Sequence, residues 1–208
     1  MANGETLVSD YLGRLGLSTA RFDKLAMRQG RTPDFKVMNG DSLAFYCEVK
    51  TVQEDDWLEQ QLANAPPGTL VGGSRPDPTY NRISNHIHSA AGQFEAVNGG
   101  CEYANVLVFV NHDLHAGVQD LVSVLTGNTY TDRGSVLPWY RAYSEGRIRE
   151  EKERIHLYLW FDVDEPEPRK FWMQSHESHH LSLCRCLGID PARIKQISAV
   201  TLARKRLP

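Results

Sequence analysis

No hydrophobic run in the chain approaches membrane-spanning length, and no signal peptide is visible. The expectation is a protein of the cytoplasm with no membrane partner. Cysteine is scarce: Cys47, Cys101, Cys184 and Cys186 lack the spacing of a disulfide framework and read as free thiols in a reducing compartment. There is no G-x-S-x-G, no glycine-rich phosphate loop ending in lysine and no dinucleotide fingerprint. Those absences exclude the familiar serine-hydrolase, NTPase and dehydrogenase signatures. Internal repeats and low-complexity tracts are missing too. Neither charge dominates: the formal net charge is -3, which disfavours a dedicated nucleic-acid coat.

What remains is an ordinary globular composition of 208 residues, 41% hydrophobic and 24% charged. That length supports one substantial core. The expected organisation is a single domain over 1–208, with a core at 4–113 and a C-terminal α+β extension at 114–208. Basic residues cluster at Arg21, Lys24, Arg28 and Arg31, and again at Arg204, Lys205 and Arg206. The second cluster reads as a solvated face.

Residues 32–52 organise the rest. Asp34 follows Pro33, and a short alternating run leads to Asn39-Gly40-Asp41. Asn-Gly between two strand-like runs is a hairpin signal. In the second strand Leu43, Phe45, Cys47 and Val49 fall on one face, with Ala44, Tyr46, Glu48 and Lys50 on the other. An acid and an amine on a near-apolar strand are costly unless paired or bound. The hairpin brings Asp34 toward Glu48, and a divalent cation would relieve the repulsion between the two carboxylates.

Elsewhere, residues 4–16 read as a helix with an apolar stripe of Leu7, Val8, Tyr11, Leu12 and Leu15, and with Glu5 in its first turn. Ser18 is a candidate cap for a second short helix running to 27. Residues 54–64 read as a helix with Trp57, Leu58 and Leu62 inward. A long Pro/Gly loop follows, either bordering a cleft or a plain surface insertion. Residues 81–97 form the clearest helix. Ile83, Ile87, Ala90, Ala91, Phe94 and Val97 make its stripe, and Arg82, His86, Ser89 and Gln93 make its polar flank. Residues 104–110 read as a buried parallel strand, 119–125 and 137–154 as helices, and 155–163 as a further strand. Residues 171–173 pair back as a hairpin, and a short helix starts near Asp190.

Asp34 after proline, followed by Glu48-Val49-Lys50 on the next strand, resembles the PD-(D/E)xK nuclease superfamily. The opening helix with Glu5, Tyr11 and Leu12 is similar to Holliday-junction-resolvase-like members. The resemblance covers roughly residues 4–113. It implies a restriction-endonuclease-like α/β fold, with an αβββαβ core and a mixed central sheet flanked by helices. It also implies Mg²⁺, with Mn²⁺ substituting, held by Asp34, Glu48, the Val49 carbonyl and Glu5. The alternative for Glu5 is a helix-start residue with no further role. Lys50 would orient the attacking water, Gln93 would join it as a catalytic group, and His86 and Arg82 would face the substrate. A polar flank on a half-buried helix is an equally ordinary explanation for the last three.

His176-Glu177-Ser178-His179-His180 matches H-E-x-x-H, the pattern of zinc metallopeptidases. No His or Glu follows to serve as third ligand. A structural zinc with Cys184 and Cys186, or a merely polar segment, stays open. The function expected from the sequence is a metal-dependent nuclease acting on DNA. The alternative is a non-catalytic module of the same fold that binds nucleic acid or protein. Cutting both strands of a duplex takes two sites, which makes a homodimer the assembly to look for.

Overall fold

The computed structural model describes residues 4–23, 31–53, 57–70, 79–113, 116–130, 136–137, 148–163, 167–172 and 177–191. Its elements run α1 (Gly4–Arg14), β1 (Ser18–Ala20), β2 (Phe35–Asn39), β3 (Ser42–Val52), α2 (Trp57–Asn64), α3 (Thr79–Asn98) and β4 (Ala104–Asn111). They continue with α4 (Val118–Thr126), β5 (Thr129–Tyr130), β6 (Val136–Leu137), α5 (Arg149–Arg154), β7 (Leu157–Asp162), β8 (Arg169–Trp172) and α6 (Glu177–Cys186).

The architecture is α/β. A six-stranded mixed sheet in the order β1-β2-β3-β4-β7-β8 is flanked by helices, and β5 and β6 form a separate ribbon. The pairs β1–β2, β2–β3 and β7–β8 are antiparallel, while β3–β4 and β4–β7 are parallel. β4 is buried at every position, as expected of a parallel strand covered on both faces. On one face Leu107, Phe109, Tyr158 and Trp160 pack against Ile83, Ile87 and Phe94 of α3 and Leu121 and Leu125 of α4. On the other, Val106, Val108, Leu159 and Phe161 meet Val8, Tyr11 and Leu12 of α1 and Leu183 of α6. The strands of the C-terminal extension therefore complete the same sheet as the N-terminal core.

Local chemistry explains the ends. Gly16 takes φ 78 and lets the chain leave α1. Gly40 at φ 59 closes the β2–β3 hairpin. The Asp120 carboxylate accepts the Gly117 N–H at 2.8 Å at the start of α4, and Gly127 at φ 71 ends that helix.

Four sequence expectations are corrected. Ser18 starts a strand, not a helix: β1 gains backbone pairing with β2, from Ser18↔Met38 to Ala20↔Lys36. Leu43 lies on the face of Tyr46, because Val37 pairs with Phe45 and Met38 with Leu43, leaving Ala44 as a bulge that resets the alternation. Ala44 packs with Phe45 and Cys47 on the far face. Leu62 is 55% exposed, so α2 does not bury that side chain. Leu137 belongs to β6, and the expected 137–154 helix is described only as α5. The residues following Pro191, which carry the expected last helix and the second basic cluster, lie outside the described residues, as does His176. Among the described residues no helix is long and apolar enough to cross a membrane. All four cysteines are free.

Candidate active site

Register places the two acids. Phe35 pairs with Cys47, so Asp34 and Glu48 meet one position further along. The Asp34 backbone N–H donates to Glu48 Oε2 at 3.0 Å, and the Val49 N–H donates to Asp34 Oδ2 at 2.8 Å. Each carboxylate thus accepts a main-chain N–H from across the hairpin. Lys50, two residues on and on the same face, donates from Nζ to Glu48 Oε1 at 2.5 Å. Nζ also reaches Gln93 Oε1 at 3.1 Å, and Gln93 Nε2 donates to the Thr32 carbonyl at 3.0 Å. Gln93 therefore ties α3 to both sides of the acid pair.

Glu48 is 2% exposed. Burial and then the Asp34 charge push its carboxyl up to about 7, against a smaller downward pull from Lys50. Asp34 is also raised, first by burial and then by the Glu5 charge, while the Val49 N–H works the other way. Two carboxylates facing one ammonium leave a net negative charge in a nearly dry place, which is an expensive arrangement for the bare protein.

Glu5 arrives from the opposite layer. A Cβ on Gly4 would lie 3.3 Å from Thr51 Oγ1 and 3.4 Å from the Val110 side chain. The missing side chain lets the start of α1 press onto the ends of β3 and β4, and Glu5 follows directly. There Glu5 pairs with Arg21, whose guanidinium also stacks 5.4 Å from the Phe35 ring centroid.

His86 lies near the same face, with its ring centroid 6.3 Å from that of Phe109. Burial, Lys50 and Arg82 lower its pKa to about 4, with a hydrogen bond to the Thr51 backbone opposing them. It is neutral at physiological pH. Arg82 has a different engagement. It bonds the Gln53 carbonyl, Thr79 Oγ1 at 3.2 Å and Asp113 Oδ2 at 3.2 Å, bracing the start of α3 against the ends of β3 and β4.

The structure thus brings Asp34, Glu48, Val49, Lys50 and Gln93 into one bonded set, with Glu5 within electrostatic reach and His86 beside them. Arg82 is turned into the scaffold. Three partners escaped the sequence reading as site residues: Thr32 through its carbonyl, Arg21 through Glu5, and Ser89, whose Oγ reaches Gln93 Oε1 at 3.4 Å. Arg21 was signalled by the basic cluster ahead of the motif. A backbone carbonyl carries no sequence signal.

Among the described residues no group of three or more His, Cys, Asp or Glu side chains is arranged to hold a metal ion. The donor chemistry nevertheless fits Mg²⁺, which commonly takes one or two carboxylates and fills the remaining positions with water. The excess charge on a buried acid pair is what such an ion would neutralise. The HESHH segment is different. His179 Nε2 bonds the Cys101 carbonyl at 2.9 Å, and its ring packs edge-on against His156 with centroids 4.5 Å apart. His179 therefore serves the α6 packing, and the first histidine of the motif is outside the described residues.

No protein-family model, no curated protein and no solved structure matches the chain.

Proposed function

We propose that the chain is a metal-dependent nuclease of the restriction-endonuclease-like type, hydrolysing phosphodiester bonds in DNA. One observation carries the reading: Asp34 and Glu48 converge across adjoining strands, one of them 2% exposed, with the Lys50 ammonium at hydrogen-bond distance. The element order α1-β1-β2-β3-α3-β4, with α2 inserted before α3, supports an αβββαβ core.

Asp34, Glu48 and the Val49 carbonyl would hold Mg²⁺, with Mn²⁺ as a substitute and Glu5 adding directly or through water. Such an ion supplies a polarised phosphate and an acidified water. Lys50 orients that water and stabilises charge building on the phosphorane oxygens. Gln93 fixes the Lys50 ammonium and offers its amide to the water or phosphate. His86, being neutral, acts as a hydrogen-bonding group and not as a cation. Arg82 acts as a strut for α3. Two copies would be needed to cut both strands together.

The rival reading is a binding module of the same fold without catalysis. It draws on both Glu48 oxygens being engaged and on the net charge of -3. Plasmid cleavage in Mg²⁺ against EDTA, for wild type, Asp34→Ala and Lys50→Met, separates the two. The nuclease reading expects either substitution to slow cutting by on the order of 100-fold or more. Wild type that binds DNA equally with and without Mg²⁺ and never cuts would leave only the binding module.

A further inference from the structure

Beside the acid pair runs a groove of about 730 Å³ between α3 and α5, whose walls include Arg31, Ser89, Gly92, Gln93, Glu151 and Arg154. Gln93 is shared: it lines the groove and bonds Lys50. A molecule lying in the groove is therefore one side chain away from the proposed reaction centre.

Of the basic side chains on its walls, Arg154 is paired with Glu95 at 2.9 Å and His88 Nδ1 lies 2.7 Å from Glu151 Oε1. Arg31 makes no ion pair among the described residues. Its backbone sits at φ 94, in the left-handed region that side-chain-bearing residues rarely enter. The next residue, Thr32, supplies the carbonyl that anchors Gln93. The strained backbone is thus fastened to α3 next to Arg31, whose Nη1 would lie 4.0 Å from a Cβ on Gly92. Gly in mid-helix is unfavourable by roughly 1 kcal/mol relative to Ala. Here it lines the groove beside Arg31, which has no ion-pair partner among the described residues.

Glu150 and Glu151 stand on the α5 side. They repel a polyanion, so a nucleic-acid strand would be held against α3 alone. We infer that Arg31 binds one substrate phosphate in this groove, adjacent to the phosphate undergoing cleavage, with Ser89 and Gln93 as the neighbouring hydrogen-bonding groups. The inference rests on the nuclease reading and adds a binding residue outside the Asp-Glu-Lys set.

The test compares wild type with Arg31→Lys and Arg31→Gly. Glycine removes the guanidinium and also relieves the positive φ, so that variant should denature at a higher urea midpoint than wild type. Binding of a fluorescein-labelled DNA duplex is measured by anisotropy in Ca²⁺ over a series of salt concentrations, and cleavage in Mg²⁺. Arg31→Gly should bind at least roughly tenfold more weakly. The slope of log K against log salt should shrink by about one. KM should rise with kcat little changed, and Arg31→Lys should recover most of the slope. If Arg31→Gly binds and cuts like wild type, the inference is overturned and the nuclease reading stands. If wild type neither binds nor cuts, both fall together.

Discussion

Glu48→Gln should make the protein more stable while abolishing cleavage. The carboxyl rises from its ordinary 4.5 to about 7 on folding. At about 1.4 kcal/mol per unit, that is a penalty of about 3 kcal/mol at most for holding the charge above pH 7. Full burial means little of it is screened away. The sign follows from proton counting: between 4.5 and about 7 the folded state binds the proton and the unfolded state does not. Stability from this group therefore falls as pH rises through that window. Glutamine mimics the protonated acid, so the variant's advantage should approach about 3 kcal/mol near pH 8 and fade to less than about 1 kcal/mol near pH 5. Lys50 is not orphaned in the variant, because it still attracts the Asp34 carboxylate. Wild type alone would mislead, since His86 works in the opposite sense. Its folded pKa of about 4 lies below its ordinary 6.5, so acid removes stability across an overlapping range. The measurement is urea denaturation of both proteins in EDTA at several pH values, repeated in saturating Mg²⁺. Magnesium should stabilise wild type selectively and close the gap. Equal stability near pH 8, or an advantage that does not shrink toward pH 5, would refute the reasoning.

Two further outcomes probe the scaffold. Gly4→Ala puts a Cβ 3.3 Å from Thr51 Oγ1 and 3.4 Å from the Val110 side chain, so α1 and these side chains must part by a few tenths of an ångström. Stability should drop by roughly 1–2 kcal/mol in urea, and DNA cleavage should weaken as Glu5 moves. Asn105→Leu removes a buried side chain that accepts from Asn98 at 2.8 Å and donates to the Arg154 carbonyl at 2.7 Å. The loss leaves Asn98 short of an acceptor, and chemical denaturation should register about 2–3 kcal/mol with the pH dependence of cleavage unchanged.

The hairpin that carries the acids was legible because Asn39-Gly40 and the alternating run specify a turn and a register locally. The helices α1 and α3 and the strand β4 were equally plain, each written in one continuous apolar pattern. β1 was not: three residues, Ser18, Thr19 and Ala20, have no pattern of their own and become a strand only by pairing with β2. The face of Leu43 was lost to a bulge at Ala44, which is set by pairing across the hairpin and not by the strand's own composition. Among the site groups, Asp34, Glu48 and Lys50 stand out by residue type and spacing, Gln93 follows only from the family resemblance, and the structure joins all four by hydrogen bonds. Arg82 shared the same helical flank, yet its guanidinium is drawn to the buried Asp113, a partner 31 residues away that no local pattern announces. Arg31 belongs to a basic cluster, and nothing in the sequence marks its positive φ or its place in the groove beside α3.

Position 49 holds Asp34 only through its main-chain N–H, while the valine side chain packs on the far face of the sheet. The grip on the acid is thus blind to the identity of that side chain. Drift among β-branched or other apolar residues there is judged by fit against α1 and its neighbours alone. Proline is the exception: it lacks the N–H and would remove that hold on the aspartate.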